Sequence, residues 1–193
     1  AFCPQAEIIH IEIDHSEIGK IKNPVLSLQA DVGEALAELN RQIKPAQRPL
    51  WRQRVSQLRE AHPLVLDGRD DLFRPYGAIT QVAALVDDNV TVTTDVGQHQ
   101  MWVAQAYPFS RPNQWLSSGG LGTMGFGLPA AIGAALADPE RRVLCFSGDG
   151  SIMMNIQELA TAAEQRLDIK VIVLNNGHLG LVRQQQSLFY EQN

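Results

Sequence analysis

The chain has 193 residues, of which 45% are hydrophobic and 19% charged, and its formal net charge is −5 at pH 7. These values predict a globular protein with one full domain and part of a second. The acidic balance, with no Lys/Arg run longer than two residues, argues against nucleic-acid and acidic-membrane partners. No apolar stretch approaches the ~20 residues of a membrane span and no segment resembles a signal peptide, so we expect a cytoplasmic protein.

The first 43 residues predict part of an α/β domain. Residues 7–14 alternate and are β-branched, which is typical of a strand, and residues 31–42 have the spacing of an amphipathic helix beginning near Asp31. Residues 44–74 contain prolines and many charges, which predicts a linker with a short helix near residues 51–60. A second domain is predicted over residues 75–193.

In that second part short apolar strands alternate with helices. We predict strands at residues 90–95, 115–117, 143–147 and 169–174, and helices at residues 75–86, 98–106, 128–137 and 154–165. This alternation is typical of an α/β fold with a doubly wound, mostly parallel sheet whose strands are buried on both faces. Ligands of such sheets bind beyond the carboxyl ends of the strands.

Polar residues follow two of these strands. Gly148-Asp149-Gly150 follows residues 143–147, and Asn175-Asn176 follows residues 169–174. If the two strands are neighbours, Asp149 and Asn176 emerge side by side, and their carboxylate and amide oxygens suit Mg²⁺. Gly150 allows the backbone to approach a phosphate, whose charge would face the N–H groups of the following helix.

A glycine-rich segment, residues 118–129, precedes the predicted helix at residues 128–137. Its glycines also match the G-x-G-x-x-G fingerprint of dinucleotide-binding proteins, at Gly120, Gly122 and Gly125. That alternative requires an acidic residue at the end of the next strand, about 20 residues on, where Asp149 stands too far along. It also leaves Asn175-Asn176 unexplained, so it is the weaker interpretation.

The pattern Gly148-Asp149-Gly150, 24 residues, Asn175-Asn176 is similar to the signature of thiamine diphosphate enzymes. Three segments resemble the acetohydroxyacid synthase (acetolactate synthase) large subunit more specifically: GQHQMW at residues 97–102, SGGLGTMGFGLPAAIGAALA at 118–137 and QSLFYE at 186–191. The resemblance implies the thiamine diphosphate-binding fold, preceded at residues 1–43 by the end of a middle domain that binds FAD.

Carried over residue by residue, the resemblance implies roles for individual positions. The diphosphate would contact Gly97, Gln98, His99 and the backbone of Gly150 and Ser151. The aminopyrimidine would be held by the Gly122 carbonyl and the Met124 backbone, with the Met124 side chain between the two cofactor rings. Mg²⁺ would be ligated by Asp149, Asn176 and the main-chain carbonyl of His178. FAD would lie near Glu12, Ile13, Asp31 and Val32.

The implied activity is decarboxylation of pyruvate and condensation of the two-carbon unit with pyruvate or 2-ketobutyrate, in branched-chain amino-acid biosynthesis. In the family the catalytic glutamate comes from a partner subunit, so we expect at least a homodimer, and no synthase activity from these 193 residues alone. A small regulatory subunit is also expected. Most family members carry Trp where this chain has Gln185, at the entry for the second substrate, which predicts a weaker preference for 2-ketobutyrate.

Other interpretations remain open from the sequence. The chain starts without Met and stops after a helix-like stretch, so we expect both ends to be cuts inside a longer polypeptide. A different thiamine diphosphate enzyme, such as an oxidase, decarboxylase or glyoxylate carboligase, would share the same architecture. A non-catalytic nucleotide-binding module would use the glycine-rich segment alone. A structural protein would explain none of the paired spacing.

Overall fold

In a computed structural model of the chain, residues 4–191 are described, and they form two compact units that divide between Pro63 and Leu64. The division falls inside the predicted linker, which contains the helix Pro49–Ala61 where a short helix was expected. The assignment of residues 1–43 to the end of a middle domain stays a prediction.

The first unit is built on two parallel strands. Its elements are β1 (Ile9–Glu12), a 3₁₀ turn (His15–Glu17), β2 (Leu26–Gln29), α1 (Val32–Gln42) and α2 (Pro49–Ala61). The helix expected from residue 31 is confirmed: the Asp31 carboxylate caps α1 by accepting the N–H groups of Gly33 and Glu34, at 2.8 and 3.2 Å. We did not predict β2 from the sequence, although Leu26–Gln29 alternates apolar and polar residues; all four residues are exposed in the structure.

The second unit contains a four-stranded sheet with the order β4-β3-β5-β6, all parallel. Its elements in chain order are α3 (Pro75–Ala84), β3 (Val90–Thr94), α4 (Gln98–Ala106), β4 (Trp115–Ser117), α5 (Gly127–Ala137), β5 (Arg142–Gly148), α6 (Asp149–Ile152), α7 (Glu158–Glu164), β6 (Ile169–Leu174) and α8 (Gly180–Phe189). The predicted mixed α/β fold with a parallel sheet is confirmed.

Both faces of the sheet are covered, as the predicted double winding requires. On one face Leu144 and Phe146 of β5 pack with buried residues of β3 and with α3 and α4. On the other face Val143 and Cys145 pack against α5. Successive residues of a strand point to opposite faces, so the apolar run of β5 contributes to both cores. Cys145 is a buried free cysteine, and Cys3 lies outside the described residues.

Two expectations about the last part of the chain are wrong in detail. Instead of one helix over residues 154–165, the chain forms α6, then turns with successive i to i+3 hydrogen bonds, and then α7. The side chain of Asn155 lies within these turns and bonds to the Gly125 carbonyl, which fixes a non-helical path there. The strand β6 was expected to be buried, but among the described strands it is an edge strand with Val173 exposed. No helix among the described residues is long and apolar enough to cross a membrane.

Candidate functional site

A cleft opens at the carboxyl ends of β3, β5 and β6, where the parallel-sheet rule places ligand sites. Its empty volume, which includes the solvent at its mouth, is about 640 Å³. Ten positions proposed for the cofactor or metal line this one cleft: Gly97, Gln98, His99, Gly122, Met124, Asp149, Gly150, Ser151, Asn176 and His178. The structure therefore brings together residues that are separated by as many as 81 positions in the sequence.

Asp149 and Asn176 meet because their strands are adjacent and in register. Gly148, the last residue of β5, pairs with Leu174, the last residue of β6, so the residues that follow leave the sheet together. The N–H group of Asn176 donates to Asp149 Oδ1 at 3.3 Å. Among the described residues no three His, Cys, Asp or Glu side chains form a metal cluster. The donor set is instead one carboxylate beside an amide, which is oxygen chemistry that suits Mg²⁺.

The segment after Asn176 is held by local hydrogen bonds. Asn176 Oδ1 accepts the N–H group of His178 at 3.1 Å. The His178 ring lies against Arg183, with 2.8 Å between Nε2 and the guanidinium Nη1. The imidazole thus contacts Arg183, and His178 is among the residues that line the cleft.

Gln98 connects the Asn176 side chain to α8. Asn176 Nδ2 donates to Gln98 Oε1 at 3.4 Å, and Gln98 Nε2 donates to Gln184 Oε1 at 3.0 Å. A methyl group at Gly180 would collide with the Gln98 amide oxygen and lie 2.7 Å from Asn176 Nδ2, so it would displace the ends of both side chains. In this arrangement both ends of the Gln98 amide are bonded to protein groups, a positioning role that the sequence did not indicate.

His99 lies in the first turn of α4, beside Gly97 and Gly148. A Cβ at Gly97 would approach the imidazole within 2.9 Å and one at Gly148 within 3.0 Å, so both glycines make room for the ring. The ring is buried, which lowers the pKa of His99 below 6.5, partly offset by the negative charges of Asp95 and Asp149. Its Nε2 is buried and has no hydrogen-bond partner within residues 4–191.

The glycine-rich loop, defined here as residues 118–126, carries Met124 at the cleft wall. The loop is anchored by Asp95, a residue that we did not predict as part of the site. Asp95 is 1% exposed, and its carboxylate accepts the N–H groups of Val96, Gly125 and Gly127 at 2.8, 2.9 and 3.0 Å. The signal that could have revealed it was an acidic residue at the end of an otherwise buried strand.

Asn155 is a second residue that sequence reasoning missed. Its Nδ2 donates to the Gly125 carbonyl at 2.8 Å, from a position 30 residues further along the chain. No sequence signal pointed to it, because the helix predicted over residues 154–165 would have placed Asn155 in a regular helical turn.

Two groups of predicted residues are not among the described residues that line the cleft. Gln185 is on the exposed side of α8 and is not among the described residues that line the cleft. The residues suggested for FAD belong to the first unit and gather at the carboxyl ends of β1 and β2, where the Ala30 N–H donates to the Glu12 carbonyl at 3.1 Å. There Ile13 and Val32 are 66% and 56% exposed, beside the carboxylates of Glu12 and Asp31.

The cleft fits an anion that bears a divalent cation. The N–H groups at the start of α4 and of α6 lie at the same end of the sheet and favour negative charge. The orphaned His99 Nε2 is a buried polar atom in need of a partner, which a phosphate oxygen would supply. At Gly150 a Cβ would come within 2.5 Å of the Leu179 side chain, so the glycine leaves room for that side chain at the cleft wall.

Fold and site together define a parallel α/β domain with a candidate anion- and metal-binding cleft at the carboxyl ends of its strands. The family of thiamine pyrophosphate enzymes, represented by its C-terminal TPP binding domain, matches residues 95–193. The chain belongs to this family.

Similar proteins extend the match over the first unit. The chain is 62% identical, over 99% of its length, to the acetolactate synthase isozyme 1 large subunit of Escherichia coli. It is 46% and 45% identical, over its whole length, to the chloroplastic acetolactate synthase 1 of Nicotiana tabacum and the chloroplastic acetolactate synthase of Arabidopsis thaliana. The chain spans about a third of the length of these relatives, 34%, 30% and 30% respectively.

Proposed function

We propose that this chain is the cofactor-binding part of an acetolactate synthase large subunit, which condenses pyruvate with a second 2-keto acid. The observation that carries the proposal is the cleft in which Asp149 contacts Asn176 and which all ten residues suggested for thiamine diphosphate and Mg²⁺ line. The similarity to acetolactate synthases over both units supports the choice of this activity over other thiamine diphosphate enzymes.

In this proposal the edge formed by β5 and β6 holds Mg²⁺. Asp149 supplies a carboxylate oxygen, Asn176 an amide oxygen, and His178 its main-chain carbonyl. The remaining positions of the ion are open to phosphate oxygens and water, as is usual for Mg²⁺ in phosphate sites. The Gln98 amide fixes the orientation of the Asn176 side chain by accepting from its Nδ2.

The main chain around the cleft holds the diphosphate. The N–H groups of Gly150 and Ser151 begin α6, and those of Gly97 to His99 begin α4. N–H groups at a helix start have no partner within their own helix, and we assign these donors to the phosphate oxygens. The buried His99 ring is neutral near pH 7 because its pKa is lowered, and a neutral ring can donate one N–H group without adding charge.

The glycine-rich loop orients the rest of the cofactor. The Gly122 carbonyl and the Met124 backbone would hold the aminopyrimidine, and the Met124 side chain would contact the two cofactor rings. Thiamine diphosphate, when bound, supplies the capacity to stabilise the negative charge left when a 2-keto acid loses CO₂. The protein contributes binding, orientation and exclusion of water.

FAD and partner chains complete the proposal. At the carboxyl ends of β1 and β2, the carboxylates of Glu12 and Asp31 can accept hydrogen bonds from hydroxyl groups of FAD. The exposed side chains of Ile13 and Val32 offer an apolar surface for its adenosine. We place the catalytic glutamate on a partner subunit, which makes a homodimer the minimum assembly, and include a small regulatory subunit and a cytoplasmic location in the proposal. Gln185 remains the proposed determinant of second-substrate preference, tested by competing pyruvate and 2-ketobutyrate in the Gln185→Trp enzyme.

Calorimetric titration of the full chain tests the cofactor assignment. We expect thiamine diphosphate to bind in the presence of Mg²⁺ and to lose most of its affinity when EDTA is added. NAD, titrated under the same conditions, is the control for the dinucleotide alternative and is expected not to bind. Binding of NAD with no Mg²⁺-dependent binding of thiamine diphosphate would reject the proposal.

The activity is tested separately, in the longer polypeptide that contains this chain. Acetolactate from pyruvate is expected, whereas acetaldehyde as the main product would indicate a decarboxylase. The 193-residue chain by itself is expected to turn over no pyruvate.

A further inference from the structure

Met124 stands where an open part of the glycine-rich loop meets an anchored part. On its amino-terminal side Leu121 is 96% exposed, and a Cβ at Gly119 or Gly120 would meet no described atom within 4 Å. On its carboxyl-terminal side comes Gly125, which is buried. The position of Met124 therefore depends on what holds Gly125.

Gly125 is held at both of its main-chain polar groups by side chains from distant parts of the chain. Its N–H donates to Asp95 Oδ1 at 2.9 Å, and its carbonyl accepts from Asn155 Nδ2 at 2.8 Å. Its φ is +88°, and a Cβ would lie 2.6 Å from Asn155 Nδ2, so no other residue fits without a shift.

Gly127, two residues further, repeats the arrangement. Its N–H donates to Asp95 Oδ2 at 3.0 Å, its carbonyl accepts from Thr93 Oγ1 at 3.0 Å, and a Cβ would lie 2.7 Å from the Asp95 backbone nitrogen. The two oxygens of one buried carboxylate thus fix two alternate residues of the segment that follows Met124. A carboxylate at the first residue of α5 is also favoured by the helix dipole.

We infer that Asp95, assisted by Asn155, is a positioning residue that sets the place of Met124 against the cofactor rings. The inference rests on the proposed function, because it assigns Met124 to those rings. Asp95 lines no part of the cleft among the described residues, so its effect passes through the main chain of the loop. Its carboxylate also accepts the Val96 N–H beside Gly97, so loss of Asp95 should weaken binding of the ring part of thiamine diphosphate more than binding at the diphosphate anchor. Asn155, which bonds to the Gly125 carbonyl, should affect the ring part alone.

The test compares two ligands of the full chain, titrated with Mg²⁺ present: thiamine diphosphate and inorganic pyrophosphate. In Asp95→Asn, an NH₂ group replaces one acceptor oxygen and opposes an N–H group of the loop. We expect thiamine diphosphate to bind at least about tenfold more weakly, about 1.4 kcal/mol, and pyrophosphate to bind within about twofold of wild type. Asn155→Ala removes the bond to the Gly125 carbonyl and should likewise weaken thiamine diphosphate binding while leaving pyrophosphate binding near that of wild type. It replaces Asp95→Asn in the test if that variant does not fold.

Asp138→Asn is the matched control, since Asp138 caps the opposite end of α5 and forms a surface ion pair with Arg141 at 3.4 Å. It is expected to bind both ligands as wild type does. Equal weakening of both ligands in Asp95→Asn and Asn155→Ala would reduce these residues to a general structural role and overturn the inference. Unchanged thiamine diphosphate binding in both variants would also overturn it.

Amide hydrogen exchange separates this inference from the proposed function. In Asp95→Asn we expect faster exchange at Gly125 and Gly127, with unchanged exchange in β3 and β5. If wild type does not bind thiamine diphosphate, the proposed function fails, and the exchange measurement still decides whether Asp95 holds the loop. Exchange at Gly125 and Gly127 equal to that of wild type would show that Asp95 does not hold it.

Discussion

The two walls of the cleft are built in different ways. At the edge of β5 and β6, Asp149 and Asn176 are partly or fully exposed, and they meet because two adjacent strands end in register. At the glycine-rich loop, Gly125 and Gly127 are buried and are held by Asp95, which lies some 30 residues earlier and is itself buried. One wall follows from the sheet, and the other depends on particular buried hydrogen bonds.

This difference determines whether a substitution should mainly change ligand affinity or also the free energy of unfolding. Exposed groups exchange protein bonds for water at little cost, so changes at the strand edge should affect ligand binding more than folding. A buried donor left without its acceptor costs roughly 1–3 kcal/mol, so changes at the loop should affect folding as well. The four predictions below test this contrast, beginning with the largest expected effect.

Asp149→Asn should abolish most Mg²⁺-dependent binding of thiamine diphosphate while leaving the fold intact. Even the outer partners of metal ligands contribute about 10–100-fold to metal affinity, so we expect loss of a direct ligand to cost at least about a hundredfold. The free energy of unfolding should stay within about 0.5 kcal/mol of wild type. Calorimetry and urea denaturation measure the two quantities.

The matched control for Asp149→Asn is Asp168→Asn, at an exposed aspartate just before β6 that pairs with Lys170. It should change neither quantity. If the Asp149→Asn chain bound thiamine diphosphate as wild type does, Asp149 would not be a metal ligand.

Gly127→Ala should destabilise the fold, because the added methyl group would lie 2.7 Å from the backbone nitrogen of Asp95. Overpacking of this kind costs typically about 1–3 kcal/mol in the free energy of unfolding. Gly133→Ala, in the same helix, has no described atom within 4 Å of the added methyl group and should stabilise the chain by up to about 1 kcal/mol. Urea denaturation measures the free energy of unfolding of both variants. Equal changes in the two would contradict tight packing of Gly127 against Asp95.

Gly180→Ala should weaken Mg²⁺-dependent binding by about tenfold, a smaller effect than loss of Asp149. The added methyl group would displace the Gln98 amide and with it the Asn176 side chain. Gly119→Ala adds the same group to an exposed position of the glycine-rich loop with no described neighbour within 4 Å, and it is the control. Equal metal affinity in the two variants would show that Gln98 does not position Asn176 for metal binding.

His99 should make the stability of the ligand-free chain depend on pH. Burial lowers its pKa below 6.5, so below pH 6.5 the unfolded chain binds more protons than the folded chain. The contribution of His99 is therefore complete above pH 6.5 and is lost as the pH falls below that value through the lowered pKa. Urea midpoints between pH 5 and 7.5 should fall less steeply in His99→Gln than in wild type.

His62→Gln, at an exposed histidine after α2, is the control for His99→Gln and should keep the wild-type slope. A His99→Gln slope equal to that of wild type would indicate that the ring titrates as it does in the unfolded chain.

Much of the cleft wall at the edge of β5 and β6 could be predicted, because it depends on local sequence patterns. The apolar runs of β5 and β6, each followed by polar residues, indicated two parallel strands and a common site at their ends. The helix α4 and the strands β4 and β6 begin and end at the predicted residues. The predicted helix over residues 154–165 failed because helical spacing of apolar residues does not reveal that Asn155 bonds to another loop.

The sequence by itself determined the parallel α/β class, the placement of Asp149 and Asn176 at one edge of the sheet and the glycine-rich character of the opposite wall. It could do so because strand periodicity is local and parallel strands necessarily end at the same edge. Only the tertiary structure decided that β5 and β6 are adjacent, that Asp95 and Asn155 hold Gly125, and that Gln98 bonds to Asn176 and Gln184. It also decided that Gln185 is not among the described residues that line the cleft. These contacts join residues distant in the chain, and their formation depends on side-chain directions that residue type and spacing do not specify.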